Sequence, residues 1–281
     1  MSGSASHEKR RHSSSLVPYS YYISRIPDYF PFVPLHWHLE WELNYVTEGE
    51  GVMKTGDTVL SVSAGDILLI RPEELHAIEA KGRLCYDTVV FRTEMLGSNE
   101  DRCYKEMIYP LCKGGAKILP IHMENSFYRE LKECTETVIS CAKENQAQTD
   151  LLMKGELLRL LWYAEQSGAV IYQQKTDSLK EIRMALDYME EHYEESITIE
   201  VLAGEAHLSE SYFMQKFREA SGMGAIEYLN RLRIQKTCEK ILDGMSVADA
   251  AYQCGFKNLS NFNRQFKRIT GCTPKQYKHT N

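Results

Sequence analysis

The sequence predicts a two-domain α+β protein: an N-terminal β-barrel that carries a helical segment, followed by an all-α domain with two helix-turn-helix motifs. Short apolar runs separated by glycine turns fill residues 19–92, as in antiparallel strands, whereas apolar residues recur at helical spacing in the last third of the chain. The length of 281 residues exceeds that of one typical domain, and 43% hydrophobic residues are enough for two cores.

The first helix-turn-helix pattern lies in residues 202–222. Thr198 is placed to cap a short helix, and His207 lies in the turn that follows it. Ser209 is then placed to cap a second helix, which we expect to end at Gly222 in a left-handed conformation. This arrangement is typical of a helix-turn-helix unit.

Residues 250–271 repeat this pattern, with Gly255 in the turn and Gly271 at the end. Ser246, just before this range, is placed to cap the first helix of the second unit. Each second helix carries an aromatic pair that we expect to be buried, Phe213 with Phe217 and Phe262 with Phe266. The small inner residues Ala203 and Ala251 are 48 residues apart, whereas Phe217 and Phe266 are 49 residues apart. The turn of the second unit therefore has one extra residue. Two tandem units indicate binding to double-stranded DNA.

The inward aromatic pairs define outward faces that we expect to contact DNA. The predicted contacts are Ser211, Met214, Gln215 and Arg218 on the first of these helices, and Ser260, Asn261, Asn263, Arg264 and Lys267 on the second. Arg264 suits a bidentate contact to guanine, and Gln215 or Asn263 suits adenine. Arg218 and Lys267 lie near helix ends and suit phosphates. A solvated surface is the alternative for each charged residue.

The distribution of charge also places DNA binding in the C-terminal part. The whole chain has a formal net charge of −6, from 33 basic and 39 acidic residues. From residue 207 to the end, however, 12 Lys and Arg stand against 6 Asp and Glu. We therefore expect phosphate affinity to lie in this part and to fall steeply with salt.

These residues resemble the DNA-binding domain of the AraC/XylS family of bacterial transcription regulators. The resemblance rests on the segments 227–244, 250–267 and 271–278, which read EYLNRLRIQKTCEKILDG, AAYQCGFKNLSNFNRQFK and GCTPKQYK. It implies that a linking helix holds the two recognition helices so that they enter successive major grooves. It also implies a regulator that responds to a small-molecule effector, more often an activator than a repressor, which dimerises and works with RNA polymerase.

A candidate metal site lies in the β-rich part, where His36, His38 and Glu42 are followed later by His76. Alternate residues of an extended segment point to one side, so the first three should share a face that His76 can join from another strand. Three imidazoles and one carboxylate suit a divalent first-row ion such as zinc, iron or manganese.

Together with Gly49, Gly65, Asp66 and Pro72, this quartet resembles both halves of the cupin signature. Ala80 stands where the signature usually has asparagine, which weakens an assignment as a cupin enzyme. Three roles stay open for the quartet: holding a metal, contacting an organic effector, or closing the barrel. We expect a regulator without enzyme activity; the alternative is a metal-dependent cupin enzyme, such as an isomerase or dioxygenase, with secondary DNA binding.

Aromatic residues near the quartet are candidate effector contacts. Trp37, Trp41 and Tyr45 join the quartet in the predicted effector pocket, because aromatic faces suit sugar rings. A carbohydrate is the first candidate effector, from the resemblance and these aromatic residues alone. The preceding aromatic residues would form an arm near the ligand or the dimer contact: Tyr19, Tyr21, Tyr22, Tyr29 and Phe30. Core packing explains each of them at least as well.

Residues 125–167 show the pattern of two helices, the second with a broad apolar stripe, so we expect a dimer interface at residues 150–161. The alternative is a helix pair that is buried within the single chain. Ser178 and Glu181 form a predicted capping box that opens the C-terminal domain. The expected organisation is a disordered tail (1–15), a cupin-like ligand-sensing and dimerisation domain (16–167), a linker (168–177) and a DNA-binding domain (178–281).

The eight cysteines form no C-x-x-C pair and are typical of reduced thiols in a cytoplasmic protein. No apolar stretch reaches the length of a membrane span, and the first fifteen residues lack the apolar core of a signal peptide. The sequence therefore predicts a cytoplasmic location without membrane binding.

Overall fold

The computed structural model describes residues 16–27, 32–55, 58–98, 100–172 and 179–280. The predicted tail, Tyr29 and Phe30 of the aromatic arm, the second half of the predicted linker and Ser178 lie outside the described residues. Within the described residues, no helix combines the length and the apolar character needed to cross a membrane.

The strands are β1 (Tyr19–Ile26), β2 (Phe32–His36), β3 (Trp41–Thr55), β4 (Thr58–Ser63), β5 (Ile67–Ile70), β6 (His76–Phe91), β7 (Ala116–Ile118) and β8 (Val170–Tyr172). The helices are α1 (Tyr109–Cys112), α2 (Tyr128–Glu144), α3 (Ala147–Gln166), α4 (Lys180–His192), α5 (Ile199–Glu205), α6 (Glu210–Ser221), α7 (Ala225–Leu242), α8 (Val247–Gln253), α9 (Leu259–Thr270) and α10 (Pro274–Thr280). A 3-10 turn covers Thr93–Met95, and a π-helical turn over Tyr104–Ile108 leads into α1.

Two long strands, β3 and β6, organise the N-terminal domain and pair antiparallel with each other. At one end they are flanked by β1 and β5, and at the other end by β2 and β4. Because each long strand changes neighbour along its length, the six-stranded sheet curls. This confirms the predicted β-rich N-terminal domain, with β7 and β8 as a small separate sheet.

The structure corrects one strand prediction, because the runs on either side of Gly49 and Gly51 are one continuous strand, β3. The register with β6 shifts at this point, which marks bulges rather than a turn. Gly49 has φ 85°, and a Cβ there would lie 1.9 Å from the carbonyl oxygen of Arg83. These glycines therefore allow two strands to approach closely where the sheet bends.

The two faces of the curled sheet carry different apolar clusters. The inner cluster consists of strand residues alone: Ile26, Val46, Met53, Val62, Leu68, Ile70, Ile78, Leu84 and Tyr86. On the outer face, Trp41, Leu43 and Phe91 pack with α2 and α3 in a second cluster. The alternation of side chains along β3 thus sends Trp41 and Leu43 outward and Glu42, which lies between them, inward.

The two predicted helices of the sensor domain are confirmed as α2 and α3. Only Asn145 and Gln146 join them, so they form an antiparallel hairpin, and Asn145 adopts the left-handed conformation that ends α2. Leu131 and Val138 of α2 pack with Met153 and Leu157 of α3 in the outer cluster. The hairpin therefore covers the sheet with one face only.

Both helix-turn-helix units form as the sequence predicts. Thr198 and Ser246 each cap the first helix of their unit through a side-chain hydrogen bond. Gly222 and Gly271 end the second helices in left-handed conformations. The second helix begins after Ser209 in one unit and after Asn258 in the other, which confirms the extra residue in the second turn. Ser209 occupies the predicted N-cap position without a side-chain hydrogen bond, whereas the side chain of Asn258 accepts one.

The linking helix α7 has 18 residues, or about 27 Å at about 1.5 Å per residue. Each unit has a buried core of its own, which contains Phe213 and Phe217 in the first and Phe262 and Phe266 in the second. At the start of α4 the N-cap is Leu179 without a side-chain hydrogen bond. Glu181, the described half of the predicted capping box, instead pairs with Lys216 of α6 at 2.9 Å.

Candidate ligand site and nucleic-acid interface

The quartet of His36, His38, Glu42 and His76 assembles as the sequence predicts. One ligand atom from each residue lies within 4.8 Å of every other, and all but His36 are buried. The two sheet segments that carry these residues meet because His36 of β2 pairs directly with His76 of β6. His38 lies between the strands, just before the bend at residues 39–40, so His36 belongs to β2, Glu42 belongs to β3, and the three residues do not share one strand.

Backbone carbonyl groups orient the three imidazoles. Nδ1 of His36 lies 2.9 Å from the carbonyl oxygen of Pro34, Nδ1 of His38 lies 3.0 Å from that of Glu40, and Nδ1 of His76 lies 2.8 Å from that of Glu74. Because a carbonyl oxygen only accepts, each Nδ1 carries the proton and donates. In the neutral imidazoles this tautomer leaves Nε2 as the lone-pair nitrogen, the atom that a metal ion requires.

A buried polar chain orients the carboxylate of Glu42. Asn44 donates through Nδ2 to Oε1 of Glu42 at 2.7 Å, and Thr88 donates to Oδ1 of Asn44 at 2.6 Å. The other carboxylate oxygen, Oε2, lies 2.9 Å from Nε2 of His38 and 3.6 Å from Nε2 of His76. Asn44 and Thr88 therefore support the ligand set. The sequence pattern predicted the four ligands but not these two supporting residues.

Electrostatics inside the site favour an ionised carboxylate. Burial alone would raise the pKa of Glu42, but the hydrogen bond from His38 and the positive charge of His38 and the nearby His76 hold this pKa well below its usual range. Burial opposes protonation of His76, yet its contact with Glu42 raises the pKa of this imidazole. Without a bound ion, the buried carboxylate is thus neutralised by the histidines.

The residues present fit a divalent first-row ion. Nε2 of His76 is buried and, among the described atoms, has no hydrogen-bond partner, since its distance to Glu42 is too long. A buried polar atom in this state is costly, and a metal ion would satisfy it. Three imidazole nitrogens and one carboxylate oxygen also match the donors that zinc, iron and manganese accept.

The structure corrects the predicted effector pocket by placing its aromatic residues elsewhere. Trp41 is fully buried in the outer cluster, where its ring stacks on Phe91 at a centroid distance of 6.3 Å. Tyr45 packs against the same cluster, whereas Trp37 packs with the first helix-turn-helix unit. Because neighbouring strand residues face opposite sides, Trp41 cannot share a pocket with Glu42.

The structure exposes every residue predicted to contact DNA. Ser211, Met214, Gln215 and Arg218 of α6 and Ser260, Asn261, Asn263, Arg264 and Lys267 of α9 all have exposed side chains. Arg264 donates to Oδ1 of Asn261 at 2.9 Å, and Gln215 donates to Glu219 at 2.8 Å. These hydrogen bonds hold both groups over the outward faces of the recognition helices.

Sequence reasoning missed basic residues of α10. Lys275 and Lys278 line a cleft of about 680 Å³ together with Arg264 and Lys267 of α9. The excess of basic residues after residue 207 was the available signal, but only the fold brings α10 beside α9. On the first unit, Tyr212 of α6 is also exposed, and it joins the candidate DNA contacts that the sequence pattern did not indicate.

Comparison with known proteins shows the same two domains. A family model described as the AraC-like ligand binding domain matches residues 17–161, and a helix-turn-helix domain model matches residues 202–280. The HTH-type transcriptional activator RhaS of Escherichia coli O1:K1 / APEC is 21% identical over 251 residues, which cover 87% of each protein. A protein of Staphylococcus aureus (strain MSSA476) named uncharacterized HTH-type transcriptional regulator SAS0078 is 24% identical over 241 residues, which cover 84% of this chain and 31% of that protein.

Among solved structures, wild-type ToxT from Vibrio cholerae strain SCE256 with a bound unsaturated fatty acid has a TM-score of 0.52 at 13% identity, covering 96% of this chain and 97% of that one. ToxT from Vibrio cholerae O395 has a TM-score of 0.51 at 16% identity, with 93% and 97% covered. At this identity the likeness shows a shared fold. The ligand-binding family model, however, covers more than half of the chain and precedes a matched helix-turn-helix domain. The chain therefore belongs to the AraC family of transcription regulators.

Proposed function

We propose that this protein is a transcription activator that binds specific DNA sequences through α6 and α9 and is controlled by a small molecule held in its curled sheet. The observation that carries the proposal is the equivalence of the two recognition helices. Each buries an aromatic pair and exposes a polar face, so Ser211, Gln215 and Arg218 correspond to Ser260, Arg264 and Lys267.

The two faces suggest a division of roles. Gln215 and Arg264 occupy the middle of their helices and have the hydrogen-bonding groups to read adenine and guanine. Arg218 and Lys267 lie one turn closer to the helix ends, where phosphate contacts fix the register of the protein on the duplex. Met214 offers no such hydrogen bonds, so α9 is proposed to contribute more specificity than α6.

A homodimer is part of this proposal because α3 exposes an apolar stripe. Leu151 is 78% exposed, Leu158 40% and Trp162 54%. They recur at helical spacing, and Gly155 lies on the same face with open space around it. Glycine in an exposed helix interior is destabilising by about 1 kcal/mol relative to alanine, which close approach of a second α3 would explain.

The nature of the effector is proposed only as a small molecule. The carbohydrate prediction depended partly on Trp41 and Tyr45, which face the helices rather than the quartet. The quartet itself would hold zinc, iron or manganese, and the ion would supply a fixed positive centre inside the sheet. Activation is supported by the similarity to RhaS, an activator by name, and contact with RNA polymerase in the cytoplasm is proposed with it.

Selection from a random duplex library with the full-length protein tests the DNA-binding proposal. We expect the recovered duplexes to share two sequence blocks about 10 base pairs apart, because the two recognition helices enter successive major grooves. Binding should weaken by at least about tenfold between 50 and 200 mM salt if several phosphates are contacted. Recovery of no common sequence, or affinity that does not change with salt, would refute the proposal.

A metal-dependent enzyme is the second candidate function, favoured by the unpartnered Nε2 of His76 in the described structure. The variants His36→Ala and His76→Ala separate the two functions. If turnover of a metabolite disappears while DNA binding and its response to the effector persist, the β-rich domain is an enzyme. If the response to the effector disappears instead, the regulator proposal is supported.

A further inference from the structure

The strands that carry the quartet have a second face, and that face belongs to the core of the first helix-turn-helix unit. Leu35 and Trp37 alternate with His36 and His38, while Leu75 and Ala77 flank His76. All four of these intervening residues are buried in one cluster with α4, α5, α6 and α7. Thus the ligand atoms and the docking surface for DNA-binding helices lie on opposite faces of the same two short segments.

Hydrogen bonds join the same segments to α4 and α7. The buried hydroxyl of Tyr228 in α7 donates to the carbonyl oxygen of Leu35 at 2.6 Å. Nε1 of Trp37 donates to Oδ1 of Asp187 in α4 at 3.3 Å. Arg183 of α4 donates to the carbonyl oxygen of Glu73 at 3.3 Å. Each contact reaches a residue within three positions of a quartet histidine.

The second helix-turn-helix unit has no comparable connection through its core. In the described part of the chain, every member of that core cluster lies at residue 193 or beyond. A change in the quartet therefore has a direct packed route to α4 and α7, and through the shared core to α6. The packed core route to α8 and α9 passes through α7, whereas Arg268 and Ile269 of α9 share only the wall of a cleft with Phe32, Glu79 and Ala80 among the described residues.

We propose that a divalent metal ion held by the quartet orders the first helix-turn-helix unit selectively, through Leu35, Trp37, Leu75 and Ala77. The inference rests on the proposed function, because it assigns the quartet a regulatory role in the same protein. A bound ion fixes the three imidazole rings and with them the backbone of both segments. The apolar residues between the ligands then present one fixed surface to α4 and α7, which biases the position of α6 relative to DNA.

Hydrogen–deuterium exchange of the full-length protein with and without zinc ions tests this directly, with no operator needed. We expect zinc to slow amide exchange in α4–α7 by about fivefold or more, the lower end of usual allosteric coupling, and to leave α8–α10 unchanged within about twofold. The double variant Asp187→Ala/Tyr228→Phe removes two cross-domain hydrogen bonds from the DNA-binding side. It should bind zinc as the parent does but lose most of the slowing in α4–α7.

The pair Asp243→Ala/Tyr277→Phe is a matched control, since Asp243 is exposed at the end of α7 and Tyr277 is buried in the second core. It should retain the full zinc effect. Equal slowing in both units, zinc binding without any slowing, or failure of zinc to bind would each overturn the inference. None of these outcomes changes the selection of DNA sequences by the metal-free protein, so a failure of the proposed function is recognised separately.

Discussion

His207 and Gly255 occupy the same position in the two helix-turn-helix units, and both have left-handed backbones, with φ of 55° and 82°. Each lies two residues after the first helix of its unit. A Cβ at Gly255 would lie 2.7 Å from the carbonyl oxygen of Tyr193 and 2.8 Å from that of Glu194. The turn geometry is therefore common to both units, but only the second also requires the absence of a side chain.

Substitution at this position should affect the two units differently. We expect Gly255→Ala to lower the free energy of unfolding by about 2 kcal/mol or more, because left-handed strain of about 1–2 kcal/mol adds to the backbone clash. His207→Gly should change it by less than about 1 kcal/mol, since relief of strain offsets the greater entropy of the unfolded chain. Urea unfolding of both variants measures this, and equal effects would contradict the interpretation.

Arg264 and Lys267 should differ in how their loss affects DNA binding. Arg264→Ala is expected to weaken binding to the selected sequence by about 1–3 kcal/mol and to relax preference at one base pair. Lys267→Ala should weaken binding to all duplexes alike and reduce the salt dependence by about one phosphate contact. Fluorescence anisotropy at several salt concentrations distinguishes them. Lys105→Ala, at an exposed site in the sensor domain, is the control, and the roles are refuted if Arg264→Ala leaves the preference intact.

Gly155→Glu should separate dimerisation from folding. The side chain has open space in the single chain, so we expect helix stability to be unchanged or slightly improved. In a dimer packed through α3, a charge there would weaken association by at least about tenfold. Sedimentation velocity measures the change. Gly204→Glu, at another helical glycine with open space, should leave the oligomeric state unchanged, and a dimer that tolerates Gly155→Glu would exclude this interface.

Asn44→Leu should weaken metal binding without removing a ligand. Asn44 holds Oε1 of Glu42 at 2.7 Å, and leucine of similar size cannot donate this hydrogen bond. Loss of such a supporting group typically lowers metal affinity by about 10–100-fold. Competition with a chromogenic zinc chelator measures the affinity. Thr135→Val, which removes a buried hydroxyl from α2, is the control; zinc affinity that is equal in both variants would show that Asn44 does not position the carboxylate.

The local patterns of the sequence were sufficient for the helical half of this protein. Caps such as Thr198, glycine stops such as Gly222 and aromatic pairs at four-residue spacing are fixed by helix geometry, and the structure confirms them. The ends of the strands could not be located in the same way, because a glycine in a strand pattern marks either a turn or a bulge. Only the partner strand decides which, as the carbonyl oxygen of Arg83 does beside Gly49.

By itself, the sequence determined the two-domain organisation, the outward faces of α6 and α9, and the four residues that meet as the quartet. These depend on periods of two and 3.6 residues, which act over short distances along the chain. The tertiary structure alone decided that Trp41 faces the helices, that Asn44 supports Glu42, and that Trp37 joins the core of the first helix-turn-helix unit. Which face of a strand is covered, and by what, depends on elements far away in the sequence, and no local period encodes that contact.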